Sequence, residues 1–328
     1  MSSLSVIGAG SWGSALAVIL APRFEYVHLW ARSPELVLSL KSSRQNDSYL
    51  PGVTLPKNVN FHSDLQLALD SSDTVLLAVP SQHLRSVLRR ATLSPHMAIV
   101  SAVKGIETGT LHRMSQLIAD ELRFPAPVAV LSGPTFAAEV AAGGPAAVVI
   151  SSVNADLASR IQSAFSGPTF RLYTNDDPIG VELGAALKNV IAIGAGICHG
   201  LDVGHNSVAA LVTRGLAEIT RLAIALGGKP GTLAGLAGLG DLVLTCTGAL
   251  SRNRRLGIEL AHGHRLETIL ASTKMVVEGV ATTYAAVDLA QRNGVEMPIV
   301  QEMDAILRLG KQPRQGIRDL MDRSLKSE

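Results

Sequence analysis

The chain has 328 residues, which is enough for about two domains with separate cores. Its formal net charge of +2 provides no strong field for nucleic acid or an anionic membrane, so we expect neither as a partner. Charged residues make up 17% of the chain, below the usual fraction of about 25%. The additional apolar surface is compatible with a homodimer.

The cysteines and the chain start indicate a cytoplasmic protein. Cys198 and Cys246 are too few for a disulfide framework and fit a reducing compartment. No basic region precedes a hydrophobic stretch at the start, and no uninterrupted apolar run reaches the length of about 18 residues needed for a membrane span. The histidines lack zinc-site spacing, so we expect no metal.

The first predicted strand runs into a glycine-rich turn and then a helix. The pattern is Gly8-Ala-Gly10-Ser11-Trp12-Gly13, in which the glycines allow a tight turn, close approach of a pyrophosphate and close packing of helix on strand. The N–H groups of the helix start would then bind phosphate. Glycine-rich turns also occur without ligands, but a preceding strand and a following helix favour a dinucleotide site.

The second predicted strand, 26–30, ends just before Arg32. An NAD-selective protein usually has an acidic residue at this place, whereas an arginine can bind a 2′-phosphate. We therefore expect use of NADP(H), with NAD(H) also open. The alternative is a solvated arginine in a surface turn.

Strand and helix patterns alternate up to about residue 177. Further apolar strand patterns occur at 74–79, 98–103, 128–131, 146–150 and 170–173, and a helical pattern at 82–90. This alternation predicts an α/β fold: a Rossmann-type, doubly wound, mostly parallel sheet with helices on both faces. Helical patterns dominate afterwards, so we predict a dinucleotide-binding domain at 1–178 and an all-helical C-terminal domain at 179–328 that holds the substrate.

Two segments directly follow predicted strands, where ligands collect in such sheets. Lys104 follows one strand, and the turn from Ser132 to Ala137 follows another. A cation and a turn with free N–H groups would then lie at the same cleft. A surface lysine and an ordinary turn are the alternatives.

Lys188 is the single formally charged side chain between Leu183 and Leu201, in an otherwise apolar helical pattern. An ammonium in such a place is unfavourable unless it is paired, neutralised or beside a wet cleft. Asp241, alone in a glycine-rich turn, is the predicted partner. A half-exposed lysine whose head reaches water is the alternative.

Ser251-Arg252-Asn253-Arg254-Arg255 is a dense set of hydrogen-bond donors suited to a phosphate dianion. A solvated helix face is the alternative. The segment lacks interleaved aromatic residues, so nucleic acid is not expected.

Eight ordered motifs together resemble bacterial-type NAD(P)-dependent glycerol-3-phosphate dehydrogenase over nearly the whole chain. They lie at 8–13, 103–105, 132–139, 187–190, 211–216, 238–242, 251–254 and 276–279. The resemblance implies an oxidoreductase that interconverts sn-glycerol 3-phosphate and dihydroxyacetone phosphate and supplies phospholipid synthesis in the cytoplasm.

The resemblance also implies roles for single residues. Lys188 matches the family's proton-transfer residue, with Lys104 and Asp241 beside it. The cofactor-contact positions, in addition to the glycine-rich turn, are Ser11, Trp12, Arg32, Lys104, Ala137, Arg252, Val276 and Glu278. The substrate-contact positions are Lys104, Gly133, Thr135, Lys188, Asp241, Ser251, Arg252 and Asn253.

Two other functions have to be weighed. A related two-domain dehydrogenase for a hydroxy acid or sugar acid would need cations placed for a carboxylate, whereas Ser251–Arg254 suits phosphate better. A dinucleotide sensor without catalysis would be expected to lack the lysines and the acid. Lys104, Lys188 and Asp241 are all present, which favours the dehydrogenase.

Overall fold

A computed structural model describes residues 2–70, 72–273 and 275–325. An eight-stranded sheet forms the N-terminal half, and the predicted α/β fold class is confirmed. The strands of this sheet, together with the separate pair β3 and β4, are β1 (Ser3–Ile7), β2 (Tyr26–Trp30), β3 (Gln45–Asn46), β4 (Leu50–Thr54), β5 (Val59–His62), β6 (Thr74–Leu77), β7 (Ala98–Ser101), β8 (Val128–Ser132), β9 (Ala146–Ser151) and β10 (Phe170–Asn175).

The order of the large sheet is β10-β9-β8-β7-β6-β1-β2-β5. The chain moves outward from β1 in one direction and then returns to its other side at β6, so the order reverses beside β1. In doubly wound sheets, ligands bind at the carboxyl ends of the strands at such a switch point. The glycine-rich turn after β1 therefore lies where this rule places a ligand.

Two details of the sheet differ from a uniformly parallel arrangement. β8 pairs with β9 in antiparallel orientation, although β9 and β10 are parallel to each other. β3 and β4 form a separate antiparallel pair, and β5 adds an edge strand. The sequence pattern did not predict these last three strands, since Pro51 and Gly52 interrupt β4.

In the described part of the first 178 residues, seven helices pack on the two faces of the sheet. They are α1 (Ser11–Leu20), α2 (Pro34–Ser43), α3 (Leu65–Leu69), α4 (Leu84–Leu88), α5 (Met114–Glu121), α6 (Ala137–Ala141) and α7 (Ala155–Phe165). The predicted helix at 82–90 is a 3₁₀ turn, Ser81–His83, followed by the shorter α4. Separate apolar cores form on the two faces, one around Leu4 and Val6 and the other around Ile7 and Val75.

Helices make up the described residues after β10. They are α8 (Pro178–Gly200), α9 (His205–Ala225), α10 (Pro230–Leu233), α11 (Asp241–Thr247), α12 (Arg252–Ala261), α13 (Leu266–Ala271), α14 (Glu278–Arg292), α15 (Pro298–Leu309) and α16 (Pro313–Met321). A π-helical turn, Leu236–Gly240, precedes α11. We refer to 1–178 and 179–328 as the sheet domain and the helical domain; this boundary stays a prediction.

Helix α8 is the centre of the helical domain. Asp177 caps its first turn by accepting from the N–H of Gly180 at 2.9 Å, and Pro178 occupies the first turn, where no N–H is needed. Length and composition alone would allow α8 to cross a membrane, but protein covers the whole apolar stretch. It is therefore the core helix of its domain, around which the other helices pack.

Candidate active site

The glycine-rich turn brings backbone atoms closer together than side chains would allow. A Cβ on Gly13 would lie 1.8 Å from the carbonyl oxygen of Gly8. Gly8 has a φ of +120° and passes the backbone of Ala78, at the end of β6, with no room for a side chain. Gly10 faces open space, so a ligand can approach the backbone there.

The start of α1 offers free donors at this turn. Gly10 supplies no side-chain cap, and the first turn contains no acidic residue. The indole nitrogen of Trp12 is buried and has no hydrogen-bond partner among the described residues. Unpaired N–H groups at a helix start favour an anion, so the residues present fit the pyrophosphate of a dinucleotide.

The β3–β4 pair supports this turn from outside. The amide of Asn46, which is buried, donates to the carbonyl of Ala9 at 2.9 Å and to the hydroxyl of Ser14 at 2.8 Å. The hydroxyl of Ser11 donates to the carbonyl of Tyr49 at 2.6 Å. Sequence reasoning missed Asn46, because its contacts depend on a strand that the sequence pattern did not predict.

The predicted partner of Lys188 is correct, and Lys104 joins the same carboxylate. One oxygen of Asp241 binds the ammonium of Lys188, and the other lies 2.8 Å from the ammonium of Lys104. Asp241 is completely buried, and the side chain of Lys188 is 7% exposed. The alternative of a half-exposed Lys188 is therefore wrong. We call these three residues the lysine centre.

Burial lowers the pKa of Lys188 to about 7, since desolvation disfavours the ammonium. The carboxylate of Asp241 opposes this and raises the pKa, whereas the nearby ammonium of Lys104 lowers it. Lys188 thus changes its protonation state near neutral pH, which is the range in which a proton donor and acceptor works best.

Asp241 is not in an open turn as the sequence suggested. It is the first residue of α11 and directly follows the π-helical turn Leu236–Gly240. One turn later, the hydroxyl of Thr245 accepts from Lys188 at 2.9 Å and donates to the carbonyl of Asp241 at 2.6 Å. Thr245 was not predicted, although its spacing from Asp241 is that of one helical turn.

The two predicted segments after β7 and β8 do meet. The ammonium of Lys104 donates to the carbonyl of Gly133 at 3.1 Å, and the hydroxyl of Thr135 donates to the same oxygen at 3.2 Å. Lys104 therefore links the ends of two strands in the sheet domain to Asp241 in the helical domain.

The start of α12 lies beside the lysine centre. Asn253 donates from its amide to the side-chain oxygen of Asn189, the neighbour of Lys188, at 2.9 Å and accepts from the N–H of Gly279 at 3.0 Å. Ser251 caps α12 by accepting from the N–H of Arg254 at 3.2 Å. The sequence analysis also assigned no role to Asn189, because its contact with Asn253 becomes visible only in the structure.

Close packing of α12 on α8 fixes the distance between the start of α12 and the lysine centre. A Cβ on Gly257 of α12 would lie 2.0 Å from the carbonyl oxygen of Ile193 on α8, and one on Gly196 would lie 1.9 Å from that of Arg254. The two helices therefore touch through their backbones. This contact holds the donors of α12 at a fixed position along α8.

Of the remaining predicted cofactor residues, Glu278 contacts the other domain, and Arg252 and Val276 contact each other. Glu278, the first residue of α14, accepts from the N–H of Ser81 in the sheet domain at 2.9 Å. Arg252 donates to the carbonyl of Val276 at 3.0 Å. Near them, the sulfur of Met275 lies 4.0 Å from the hydroxyl of Ser11, so this segment borders the glycine-rich turn.

Arg32 and Ala137 are less closely connected to the rest. Arg32 is exposed beyond β2 and makes no hydrogen bond or ion pair with another residue of the described ranges. Ala137 begins α6, which packs beside α1. No group of three or more residues able to hold a metal ion occurs in the part of the chain that the structure describes.

Comparisons with known proteins place this geometry in a family. Residues 3–158 match the family model for the N-terminus of NAD-dependent glycerol-3-phosphate dehydrogenase, and residues 177–318 match the model for its C-terminus. A relative from Koribacter versatilis, named glycerol-3-phosphate dehydrogenase (NAD(P)+), is 53% identical over 100% of this chain and 99% of its own length. A relative of the same name from Nitratidesulfovibrio vulgaris is 50% identical over 99% of both chains.

A solved structure agrees with these matches. The crystal structure of glycerol-3-phosphate dehydrogenase from Coxiella burnetii superposes with a TM-score of 0.95 at 38% identity and covers 98% of this chain and 99% of that one. The chain belongs to the NAD-dependent glycerol-3-phosphate dehydrogenase family.

Proposed function

We propose that this protein interconverts sn-glycerol 3-phosphate and dihydroxyacetone phosphate with NADP(H) or NAD(H). The observation that carries the proposal is the lysine centre, in which a buried lysine with a pKa near 7 shares a carboxylate with a second lysine from the other domain. Family membership supplies the substrate class. A dinucleotide sensor would have no use for such a centre.

The chain's residues supply the proton and the local charge. When bound, a nicotinamide cofactor would supply or accept the hydride at carbon 2 of the substrate. Lys188 donates a proton to the carbonyl oxygen during ketone reduction and, as a neutral amine, accepts it from the hydroxyl in the reverse direction. Lys104 adds positive charge where the oxygen becomes negative. Asp241 holds both ammonium groups, which would otherwise repel each other at close distance.

The start of α12 suits the substrate phosphate. The side chain of Ser251 caps only the N–H of Arg254, and the two N–H groups before it have no partner among the described residues. Arg252 is exposed at this end, and the amide of Asn253 is fixed by Asn189 and Gly279. A helix start with an arginine favours a phosphate dianion over a hydroxy acid. Binding there would orient carbon 2 against the lysine centre.

The cofactor residues are proposed in the same way. The glycine-rich turn with Ser11 and Trp12 would hold the pyrophosphate, and Arg32 the 2′-phosphate of NADP(H). Ala137, Val276 and Glu278 would border the cofactor, together with Arg252 and Lys104. We also propose a cytoplasmic location, a homodimer and a supply of glycerol 3-phosphate to phospholipid synthesis.

The test is cofactor oxidation at 340 nm by purified protein. We expect rapid oxidation of NADPH with dihydroxyacetone phosphate and little with unphosphorylated dihydroxyacetone. Arg252→Ala should raise the KM for dihydroxyacetone phosphate by about 100-fold, since a charge-assisted contact contributes about 3 kcal/mol. Arg265→Ala is the control, because Arg265 forms an exposed ion pair with Glu267 outside the proposed phosphate site, and this variant should leave the KM unchanged. Folded protein that binds NADPH but oxidises neither cofactor would contradict the proposal.

A further inference from the structure

We infer that Glu182 is a positioning residue that anchors the loop carrying Lys104 to the helix carrying Lys188. The inference rests on the proposed function, because that function assigns both lysines to the reaction. Glu182 lies on α8, six residues before Lys188, and so about 9 Å along the helix axis from it. It does not touch the lysine centre.

The carboxylate of Glu182 reaches out of the helical domain into the sheet domain. It accepts from the N–H of Ser115 at 2.6 Å and from the hydroxyl of Ser115 at 2.7 Å, and it pairs with the guanidinium of Arg113. Ser115 is in the first turn of α5, where backbone N–H groups lack partners within the helix. A residue of one domain thus caps a helix of the other.

This contact is almost completely shielded from water. The side chain of Glu182 is 2% exposed and that of Arg113 is 14% exposed. A buried carboxylate is unfavourable unless its oxygens are paired, and here both oxygens are. Moving Arg113 and Ser115 away from α8 would leave that charge unpaired, so the contact resists separation of the two domains at this point.

The loop between Lys104 and Arg113 folds back on itself. Ile106 and Arg113 form an antiparallel bridge, and the N–H of Glu107 donates to the carbonyl of His112 at 3.0 Å. Arg113 therefore lies beside Ile106, only two residues after Lys104. The side chains of Ile106 and Leu111 are buried in the core of the helical domain. The loop belongs to the sheet domain by sequence and to the helical domain by packing.

These contacts form a closed ring that passes through the lysine centre. The ring runs from Lys104 to Asp241, to Lys188, along α8 to Glu182, to Arg113, and through the bridge at Ile106 back to Lys104. The contact with Asp241 holds the loop at Lys104, the packing of Ile106 and Leu111 holds its middle, and the contact with Glu182 holds its far end at Arg113. A displacement of about 1 Å in a reacting group can lower the rate about 100-fold. The contact between Glu182 and Arg113 therefore helps catalysis by keeping Lys104 in place.

The test compares Glu182→Gln with Glu107→Gln. Glu107 lies on the same loop but binds Arg85 within the sheet domain at 2.7 and 2.8 Å, so its variant is a matched control. For Glu182→Gln we expect kcat to fall about tenfold or more while the KM for NADPH stays within about twofold. Glu107→Gln should keep both values of the wild type.

The pH dependence of kcat separates positioning from general destabilisation. Burial, the ammonium of Lys104 and the carboxylate of Asp241 set the pKa of Lys188, and Thr245 and Cys246 are its other neighbours on α11. A loosened loop admits water and moves Lys104 away, and both changes raise that pKa. The pH midpoint for glycerol 3-phosphate oxidation should therefore rise in Glu182→Gln and stay unchanged in Glu107→Gln.

A Glu182→Gln enzyme with the kcat and pH midpoint of the control would overturn the inference. If this variant does not fold, Ser115→Ala decides, because it removes one hydroxyl donor and keeps the ion pair. It should lower kcat without changing the KM for NADPH, and wild-type kcat would refute the anchor.

Wild-type protein without dehydrogenase activity would instead refute the proposed function. Amide hydrogen exchange over 105–113 still tests the anchor in that case. Exchange should be faster in Glu182→Gln than in Glu107→Gln, and equal exchange would overturn the inference.

Discussion

The glycine-rich turn and the lysine centre use opposite means to build a site. The turn lies within the sheet domain and depends on missing side chains, since a Cβ at Gly13 would overlap the backbone of Gly8. The lysine centre depends on charged side chains from both domains, held by one buried carboxylate. Cofactor binding should therefore be separable from turnover: changes at the turn affect affinity, and changes at the centre affect rate.

Lys188→Ala should give the largest effect, and it should reduce turnover without changing cofactor binding. We expect turnover to fall by about 1,000-fold or more, because the proton donor is lost, while the Kd for NADPH stays within about twofold. Asp241 still pairs with Lys104 in this variant. Lys229→Ala is the control, since Lys229 forms an exposed ion pair with Asp176.

The wild-type pH profile belongs to the same prediction. Ketone reduction needs protonated Lys188, so its kcat should fall as pH rises through about 7, and kcat for glycerol 3-phosphate oxidation should rise through the same pH. Lys188→Ala should lose both dependences. A variant that keeps most of its turnover would show that another group transfers the proton.

Gly13→Ala should have the opposite effect and weaken cofactor binding without changing turnover. The added methyl group overlaps the carbonyl of Gly8, so the turn must shift, and we expect the Kd for NADPH to weaken about 30-fold, equal to about 2 kcal/mol. The kcat at saturating cofactor should stay near that of the wild type. Gly167→Ala is the control, because a Cβ there meets open space. An unchanged Kd in titration would show that this tight turn is not the binding site of the cofactor phosphates.

Arg32→Ala should give the smallest effect and sharpen the comparison within the cofactor site. We expect kcat/KM with NADPH to fall about tenfold, since an exposed charged contact to the 2′-phosphate is lost. With NADH, which lacks that phosphate, kcat/KM should not change. Arg90→Ala, another exposed arginine of the sheet domain, serves as the control. An unaltered ratio between the two cofactors would assign Arg32 to the solvated surface.

The sequence predicted the parts of the site that depend on local pattern. The glycine-rich turn needs a strand before it and a helix after it, and both are visible in the sequence. The pairing of Lys188 with Asp241 was predicted because each is the single charge in an apolar segment. The antiparallel direction of β9 was not, since an apolar strand reads the same in either direction.

Two of the contacts between the domains escaped prediction for a physical reason. Glu278 with Ser81 and Glu182 with Arg113 join residues 197 and 69 positions apart, and each residue alone is typical of a solvated surface. Asn46 is similar, since its value to the turn depends on a strand interrupted by proline and glycine. The proposed roles of single residues stay predictions until the variants are measured.

Trp12 and Trp30 are the two tryptophans of the chain, and they differ in a useful way. Trp30 is 2% exposed and donates its indole N–H to the carbonyl of Ser63 at 3.0 Å, whereas the indole N–H of Trp12 has no partner among the described residues and lies at the start of α1. Intrinsic fluorescence therefore has one constant emitter and one at the proposed cofactor site. Emission can report NADPH arrival in variants that no longer turn over.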